Sequence, residues 1–164
     1  MANAMVALAT ITLGTSATSI TFSSIPTTGY RDLRLVVTRL TTANANLTFR
    51  VNGDSSAIYN YVAMLGNGTA ASSVNGTNGN AMLVEWNLYS TTSETVDTYV
   101  DFLDYAQTDK HKSLLVRSGR AAQGTEAYAG RYASTSAITS INLLMTGGPS
   151  FAAGTMASLY GIVS

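Results

Sequence analysis

Hydrophobic and polar residues alternate along most of this chain, and a repeat of two residues is the main sequence signal of a β-strand. The segment "DLRLVVTR" places Leu33, Leu35 and Val37 on one face and polar residues on most of the other. The segments "LTFRV" and "TVDTYVDF" alternate in the same way around Phe49 and Val100. Similar segments are "VALATIT", "SITFSS", "IYNYVAML", "SLLVRS", "AITSINLLM" and "ASLYGIV". The pattern predicts about eight to ten short strands and no amphipathic helix.

Clusters of Pro, Gly, Asn and Ser separate these segments and predict tight turns, for example at 26–29, 52–54 and 147–150. The cluster at 66–80 is too long for a tight turn and too polar for a core, so it predicts an exposed loop. No repeat or linker divides the 164 residues. Many short strands with frequent turns are typical of a sandwich. We therefore expect one all-β domain over 1–164, an antiparallel, jelly-roll-like β-sandwich with an N-terminal strand or arm at 1–17.

The facing of the predicted strands also predicts which side chains are buried. In "MLVEWNL" the alternation places Trp86 on the buried face, with Met82, Val84 and Leu88, and places Glu85 on the opposite face. The N-terminal "VALATIT" runs through Gly14 into the next strand, which favours pairing within its own subunit over exchange with a neighbour. Between the two sheets we expect to find Leu33, Leu35, Phe49, Val51, Val100 and Phe102.

Charged residues make up only 11% of the chain, and nine basic residues balance nine acidic ones. A net charge of zero provides no electrostatic attraction for nucleic acid or for an anionic membrane. The chain has no cysteine, which excludes disulfides and thiolate metal sites. Arginines outnumber lysines and occur with nine tyrosines and six methionines, a combination enriched at protein interfaces. The composition favours an assembly protein over an enzyme.

The residues with catalytic or metal-binding chemistry form no recognisable constellation in the sequence. The single histidine, His111, stands in the polar segment "TDKHKS", where a solvent-facing side chain is the usual outcome. Asp97 and Asp101 share a strand face, but positions i and i+4 of a strand lie about 13 Å apart, too far for one metal ion or one glycosidic bond. A calcium site there is the weaker alternative to pairing with arginines. We therefore predict no catalytic residue, no cofactor and no metal.

An outward-facing charged patch is the most specific site prediction. Arg31, Asp32 and Arg34 follow a proline corner and flank the buried face of "DLRLVVTR". Arginine is well suited to interface ion pairs because its planar guanidinium binds carboxylates through two hydrogen bonds. Two partners fit this patch equally well: a neighbouring subunit, or an adjacent strand of the same chain. The complete set of candidate interface residues is Arg31, Asp32, Arg34, Asp97, Tyr99 and Asp101.

Three stretches in order resemble a group of tailed-bacteriophage virion proteins. They are "SITFSSIPTTGYRDLRLVV", "FRVNGDSSAIYNYVAMLGNGTAASS" and "AITSINLLMTGGPSFAAGTMASLYGI", and together they extend from Ser19 to Ile162. The shared features are strands and turns rather than a catalytic signature. The chain departs from the group by an extra residue or so at the "SIPTTGYRDL" corner and in the middle region from Ala71 to Asp101.

The resemblance implies a structural role in a virion. Its leading form is a capsid decoration (cement) protein that stabilises the head by binding the major capsid protein, most simply as a homotrimer. Such a protein would be made in the bacterial host cytoplasm and end on the capsid surface. The alternative is a tail-fibre or baseplate module that binds a receptor or carbohydrate, in which Trp86 or the aromatic rings of Tyr59 and Tyr61 would stack on sugars.

Overall fold

The computed structural model describes residues 4–163, and these residues form twelve β-strands. All strand pairs are antiparallel. No helix long and apolar enough to cross a membrane is found in this part of the chain. The strands are β1 (Met5–Thr12), β2 (Ser19–Phe22), β3 (Asp32–Arg39), β4 (Leu47–Val51), β5 (Tyr59–Gly66), β6 (Ala71–Gly79), β7 (Met82–Leu83), β8 (Val96–Leu103), β9 (Lys112–Arg120), β10 (Gly124–Tyr132), β11 (Ile141–Met145) and β12 (Met156–Ile162).

The strands form two sheets with the core between them, which confirms the predicted single-domain β-sandwich. The larger sheet has eight strands in the order β1-β12-β3-β8-β9-β10-β5-β6. The smaller sheet has four strands in the order β2-β11-β4-β7. Because the larger sheet is twice as wide, the smaller sheet covers only part of its inner face.

The predicted core is confirmed residue by residue. Phe49 of the smaller sheet contacts Phe102 of the larger one, with ring centroids 5.3 Å apart. Alternation places these side chains inward because successive side chains of a strand point to opposite faces. Six predicted core residues are fully buried: Leu33, Leu35, Phe49, Val51, Val100 and Phe102.

The N-terminal strand β1 pairs with β12 of the same chain, from Met5 opposite Ile162 to Thr12 opposite Met156. This confirms the predicted pairing within the subunit for the described part of 1–17. Residues 1–3 lie outside the described range. The strand forms one edge of the larger sheet, so its outer backbone edge has no neighbouring strand among residues 4–163.

The prediction of a loop over 66–80 is wrong. Residues 71–79 form β6, the opposite edge strand of the larger sheet, which pairs with β5. The segment is exposed along most of its length, as the polar sequence indicates. Gly76 explains part of its glycine content, because the ring of Tyr61 occupies the space that a Cβ would need. The polar and small side chains of β6 are tolerated because this strand lies at an edge of the sheet.

The segment "MLVEWNL" is also not the strand that its alternation predicts. Regular pairing ends after Met82 and Leu83, and the side chain of Glu85 is completely buried, whereas Trp86 is 40% exposed. The reason is that the backbone N–H groups of Trp86 and Asn87 donate to the buried carboxylate of Glu126, at 2.8 and 3.0 Å, instead of to a neighbouring strand.

Glu85 is buried because it pairs with Arg39 from the inner face of β3. Its carboxylate also accepts hydrogen bonds from the hydroxyl of Thr98 at 2.5 Å and from the backbone N–H of Leu47 at 3.1 Å. The Arg39 guanidinium donates further to the carbonyl oxygens of Ala45 and Leu88. Burial raises the pKa of Glu85 and lowers that of Arg39, because desolvation disfavours both charged forms. Glu85 thereby connects the irregular segment after β7 to β3 of the larger sheet through Arg39 and to β4 of the smaller sheet through Leu47.

A candidate interaction surface on the larger sheet

The outer face of the larger sheet is the most unusual surface of the protein. Cross-strand partners lie on the same face, so the strand registers identify every residue that points outward. Seven large hydrophobic side chains of the described residues are exposed, and the registers place all but Trp86 on this one face. These six are Met5, Val62, Met64, Tyr99, Leu115 and Met156. A solvated sheet face normally presents polar side chains, and this face departs from that pattern at six positions.

A groove of about 600 Å³ runs across the middle of this face. Four of the six predicted interface residues line it: Arg34 from β3 and Asp97, Tyr99 and Asp101 from β8. Strand β9 contributes Leu115, Arg117 and three neighbouring residues to the same groove, and β10 contributes Thr125. We call this feature the sheet groove.

Arg34 and Asp101 form a two-point ion pair on this wall. They are direct cross-strand partners, and the Arg34 Nε and Nη2 atoms donate to the two carboxylate oxygens of Asp101 at 2.7 and 2.9 Å. These hydrogen bonds raise the pKa of the Arg34 guanidinium above its ordinary value. Of the two partners that the sequence allowed, the structure provides the adjacent strand of the same chain.

The side chains of Tyr99 and Asp97 are exposed to solvent. The Tyr99 side chain is 49% exposed and lies directly opposite Arg117 of β9. Asp97 is exposed, and no salt bridge to it is found among residues 4–163. The sheet groove thus combines an aromatic ring, an unpaired carboxylate and an exposed guanidinium around one neutralised ion pair.

Arg31 and Asp32 lie beside the sheet groove rather than in it. The Arg31 Nε atom is 3.9 Å from a carboxylate oxygen of Asp32 and 3.6 Å from one of Asp104. Asp32 accepts a 2.7 Å hydrogen bond from the backbone N–H of Asp104, which holds the turn after β8 against the start of β3. Lys110 completes this cluster at 2.9 Å from Asp104, and its hydrogen bond is the main reason that the pKa of Asp104 is lowered.

Sequence reasoning missed the outer residues of β5, β9 and β10. The segment "IYNYVAML" hides Val62 and Met64 among other apolar residues, so that its outer face is not recognisable as a surface. Strand β10 itself was not predicted, because alanine and glycine interrupt its alternation. The available signal was the apolar triplet Leu114 to Val116, whose middle residue cannot share the buried face of its neighbours.

The aromatic residues considered for sugar stacking divide between the core and the surface. Tyr59 is buried, and its hydroxyl contacts the backbone of Val51 and Asp54 at 2.9 Å. Tyr61 is half-buried and packs on Tyr128, with ring centroids 5.7 Å apart. Only Trp86 presents a large exposed surface, and it lies in the irregular segment after β7.

The described residues include no group of three or more His, Cys, Asp or Glu side chains that could hold a metal ion. No protein-family model matches the chain, and no curated protein matches it. The arrangement on the outer face therefore has to be interpreted from its own chemistry, which combines exposed apolar side chains with a charged groove.

Proposed function

We propose that this protein is a structural component of a tailed-bacteriophage virion, and that it decorates the capsid by binding the major capsid protein. The observation that carries the proposal is the exposure of six large hydrophobic side chains on one sheet face. Contact with another protein would remove this apolar surface from water, which is favourable by roughly 25 cal/mol per Å² of apolar surface buried. The resemblance of the three quoted stretches to virion proteins supplies the kind of assembly.

The sheet groove is the part of this face best suited to the capsid contact. Its Asp97, which forms no salt bridge among the described residues, can make directional contacts, and the exposed ring of Tyr99 on the same face of β8 supplies an apolar anchor beside it. Interfaces of standard size combine anchors of this kind with a polar rim. The contact requires no cofactor and no chemistry at the surface. In this role the protein would act as a binding protein on the outside of the particle.

Copy number in purified virions tests the proposal. Quantitative mass spectrometry should find hundreds of copies per particle if the protein decorates the head, because decoration repeats with the capsid lattice. A few copies per particle would indicate that the protein is located in the tail, and its absence from virions would exclude a virion role.

A binding experiment then tests the sheet groove. Tyr99→Lys should reduce attachment of the purified chain to undecorated heads, because it replaces the apolar anchor with a charge. Ser19→Lys is the matched control, since Ser19 is exposed on the smaller sheet, away from the groove. Equal attachment of both variants would remove the groove from the contact.

The tail module remains the second candidate because Trp86 is 40% exposed instead of buried as predicted. An exposed indole is a suitable platform for a sugar ring. Binding of the purified chain to host-surface glycans, lost in Trp86→Ala and retained in Tyr99→Lys, would favour this function over decoration.

A further inference from the structure

The outer faces of β5, β9 and β10 form an apolar strip beside the sheet groove. Leu115, Ala129 and Val62 lie opposite one another in one cross-strand row. Ala127 and Met64 form the neighbouring row. We call these five residues the apolar strip. Val62 and Met64 are 58% and 67% exposed, the two highest values among the exposed large hydrophobic side chains of the described residues.

The shape of the apolar strip is a ridge beside a trough. Val62 and Met64 on β5 project from the sheet, whereas the neighbouring β10 presents only the methyl groups of Ala127 and Ala129. Leu115 borders the trough on its other side. A surface with an apolar ridge next to an apolar trough of equal length can match a copy of itself.

We infer that a second copy of this chain occupies the apolar strip, and that the two copies pack their larger sheets face to face about a twofold axis. If the axis runs along the strands above the boundary of β5 and β10, then β5 of each copy lies over β10 of the other. Residues of the same row then face each other. Met64 of one copy meets Ala127 of the second, and Val62 meets Ala129, so each ridge fills the opposite trough.

The charges around the apolar strip agree with this occupant. The strip itself contains no charged residue, and the nearest outward cations are Arg117 and Arg131. Under the same axis, β9 faces β6 and β10 faces β5, so Arg117 meets Ser73 and Arg131 meets Asn60. Each guanidinium therefore meets a neutral side chain with an acceptor oxygen rather than another arginine. The balanced total charge of the chain adds no repulsion between copies.

The pairing covers the β9 wall of the sheet groove, with Leu115 and Arg117, and leaves the β3 and β8 wall free. Strand β8, which carries Tyr99 and Asp97, lies beyond β9 and would extend past β6 of the second copy. One face would thus hold a contact between copies at β5 and β10 and a contact with another protein at β3 and β8. A self-matched contact closes at two copies, so this arrangement differs from a cyclic trimer.

The test uses two single variants and their mixture, with mass measured by sedimentation and folding checked by circular dichroism. We expect the natural chain to be a dimer. Met64→Glu should raise the dissociation constant at least about tenfold, because each pair would bury two carboxylates without partners. Ala127→Lys should do the same with two ammonium groups. Both positions point outward, so the monomers should remain folded.

Mixing the two variants should restore the dimer, because the carboxylate introduced at position 64 of one chain would then face the ammonium group introduced at position 127 of the other. Met64→Glu mixed with Ser19→Lys is the control: the Met64→Glu chain should stay monomeric, whereas Ser19→Lys, whose strip is unchanged, should dimerise only with itself. A natural chain that is a monomer or a trimer, single variants with unchanged mass, or a mixture without recovery would each overturn the inference. Val62→Lys provides an independent variant if Met64→Glu does not fold.

The inference rests on the proposed role as an assembly protein, but its test uses the purified chain without any particle. A natural chain that is monomeric in solution but present at normal copy number in virions would leave decoration intact and overturn the pairing. A confirmed dimer that is absent from virions would support the pairing and overturn decoration. Loss of head binding by Met64→Glu at unchanged mass would assign the strip to the capsid protein and overturn the pairing.

Discussion

Strand β3 carries two arginines that pair with carboxylates on opposite faces of the same sheet. Arg34 points outward, where its side chain is 40% exposed and its partner Asp101 is 29% exposed. Arg39 points inward, where both it and Glu85 are completely buried. The two pairs have the same chemistry and differ in surroundings. Arg34 and Arg39 are five residues apart and therefore point to opposite faces of the sheet. The face determines whether an arginine is a replaceable surface group or a fixed part of the interior.

The energetic consequence follows from hydration. An exposed pair gains little because water and salt already stabilise each charge, and its value is typically about 0.2–1 kcal/mol. A buried pair has lost that hydration, so removal of one partner leaves the other charge without compensation. Glu85 limits this cost in the natural chain through its added hydrogen bonds from Thr98 and Leu47.

The largest expected effect is at the buried pair. Arg39→Met should lower the free energy of unfolding by about 3–5 kcal/mol, because Glu85 would remain buried without its cation. Urea denaturation measures the change. The double variant Arg39→Met/Glu85→Leu should recover most of the loss, since it removes both charges. A loss below about 1 kcal/mol for the single variant would contradict the structural assignment.

A smaller loss is expected between the two arginines, at the fully buried Leu35. Leu35→Ala should cost about 2–5 kcal/mol, because it removes buried methyl groups and leaves a cavity. Val36→Ala is the matched control: Val36 is the next residue, faces outward and is only half-buried. Thermal or urea unfolding should therefore separate the two variants clearly. Equal losses would mean that the facing of β3 is reversed.

A weak effect is expected at the exposed pair. Arg34→Met should change the free energy of unfolding by less than about 1 kcal/mol, and the difference should shrink further in about 1 M salt. Chemical denaturation at low and high salt measures both parts. Loss of folding would place Arg34 in an essential internal role, contrary to its exposure.

The smallest effect concerns acid. The pKa of Asp104 is lowered from 3.8 in the folded chain, so its stabilising contribution is complete above that value and is lost as the pH falls through the lowered pKa. Asp104→Asn removes this contribution, and the gap in melting temperature between the natural chain and the variant should close on acidification from about pH 6 to about pH 2. A gap that stays constant with pH would contradict the ion pairs with Lys110 and Arg31.

Alternation was sufficient to predict the interior wherever a strand has one apolar and one polar face. Leu33, Leu35 and Val37 satisfy that condition, and the start and end of β3 follow the prediction. The same signal predicted that Arg34 points outward from one strand, and that Asp97, Tyr99 and Asp101 lie opposite the apolar face of another. What it could not provide was the neighbour of each strand, because pairing across the sheet depends on residues far apart in sequence.

The signal failed where a polar residue is inside or an apolar residue is outside. Glu85 is buried because Arg39, 46 positions away in the sequence, neutralises it, and no local pattern contains that information. Met64 and Leu115 are outside although their sequence neighbours are largely apolar. Strand β6 lacks apolar alternation because neither of its faces is well covered. These exceptions include the residues of the proposed contact surface. Exposed positions of a folded protein are usually polar, whereas a binding surface uses apolar side chains.

Both outermost strands of the larger sheet have a break in register. The break in β1 falls between Ala7 and Ala9, and the break where β5 meets β6 falls between Tyr59 and Tyr61. An irregular edge presents its N–H and C=O groups out of line, which hinders the addition of another strand. The sheet is thereby protected from growing sideways into a fibre. Contacts through its faces do not use these edge groups and are unaffected by the irregularity.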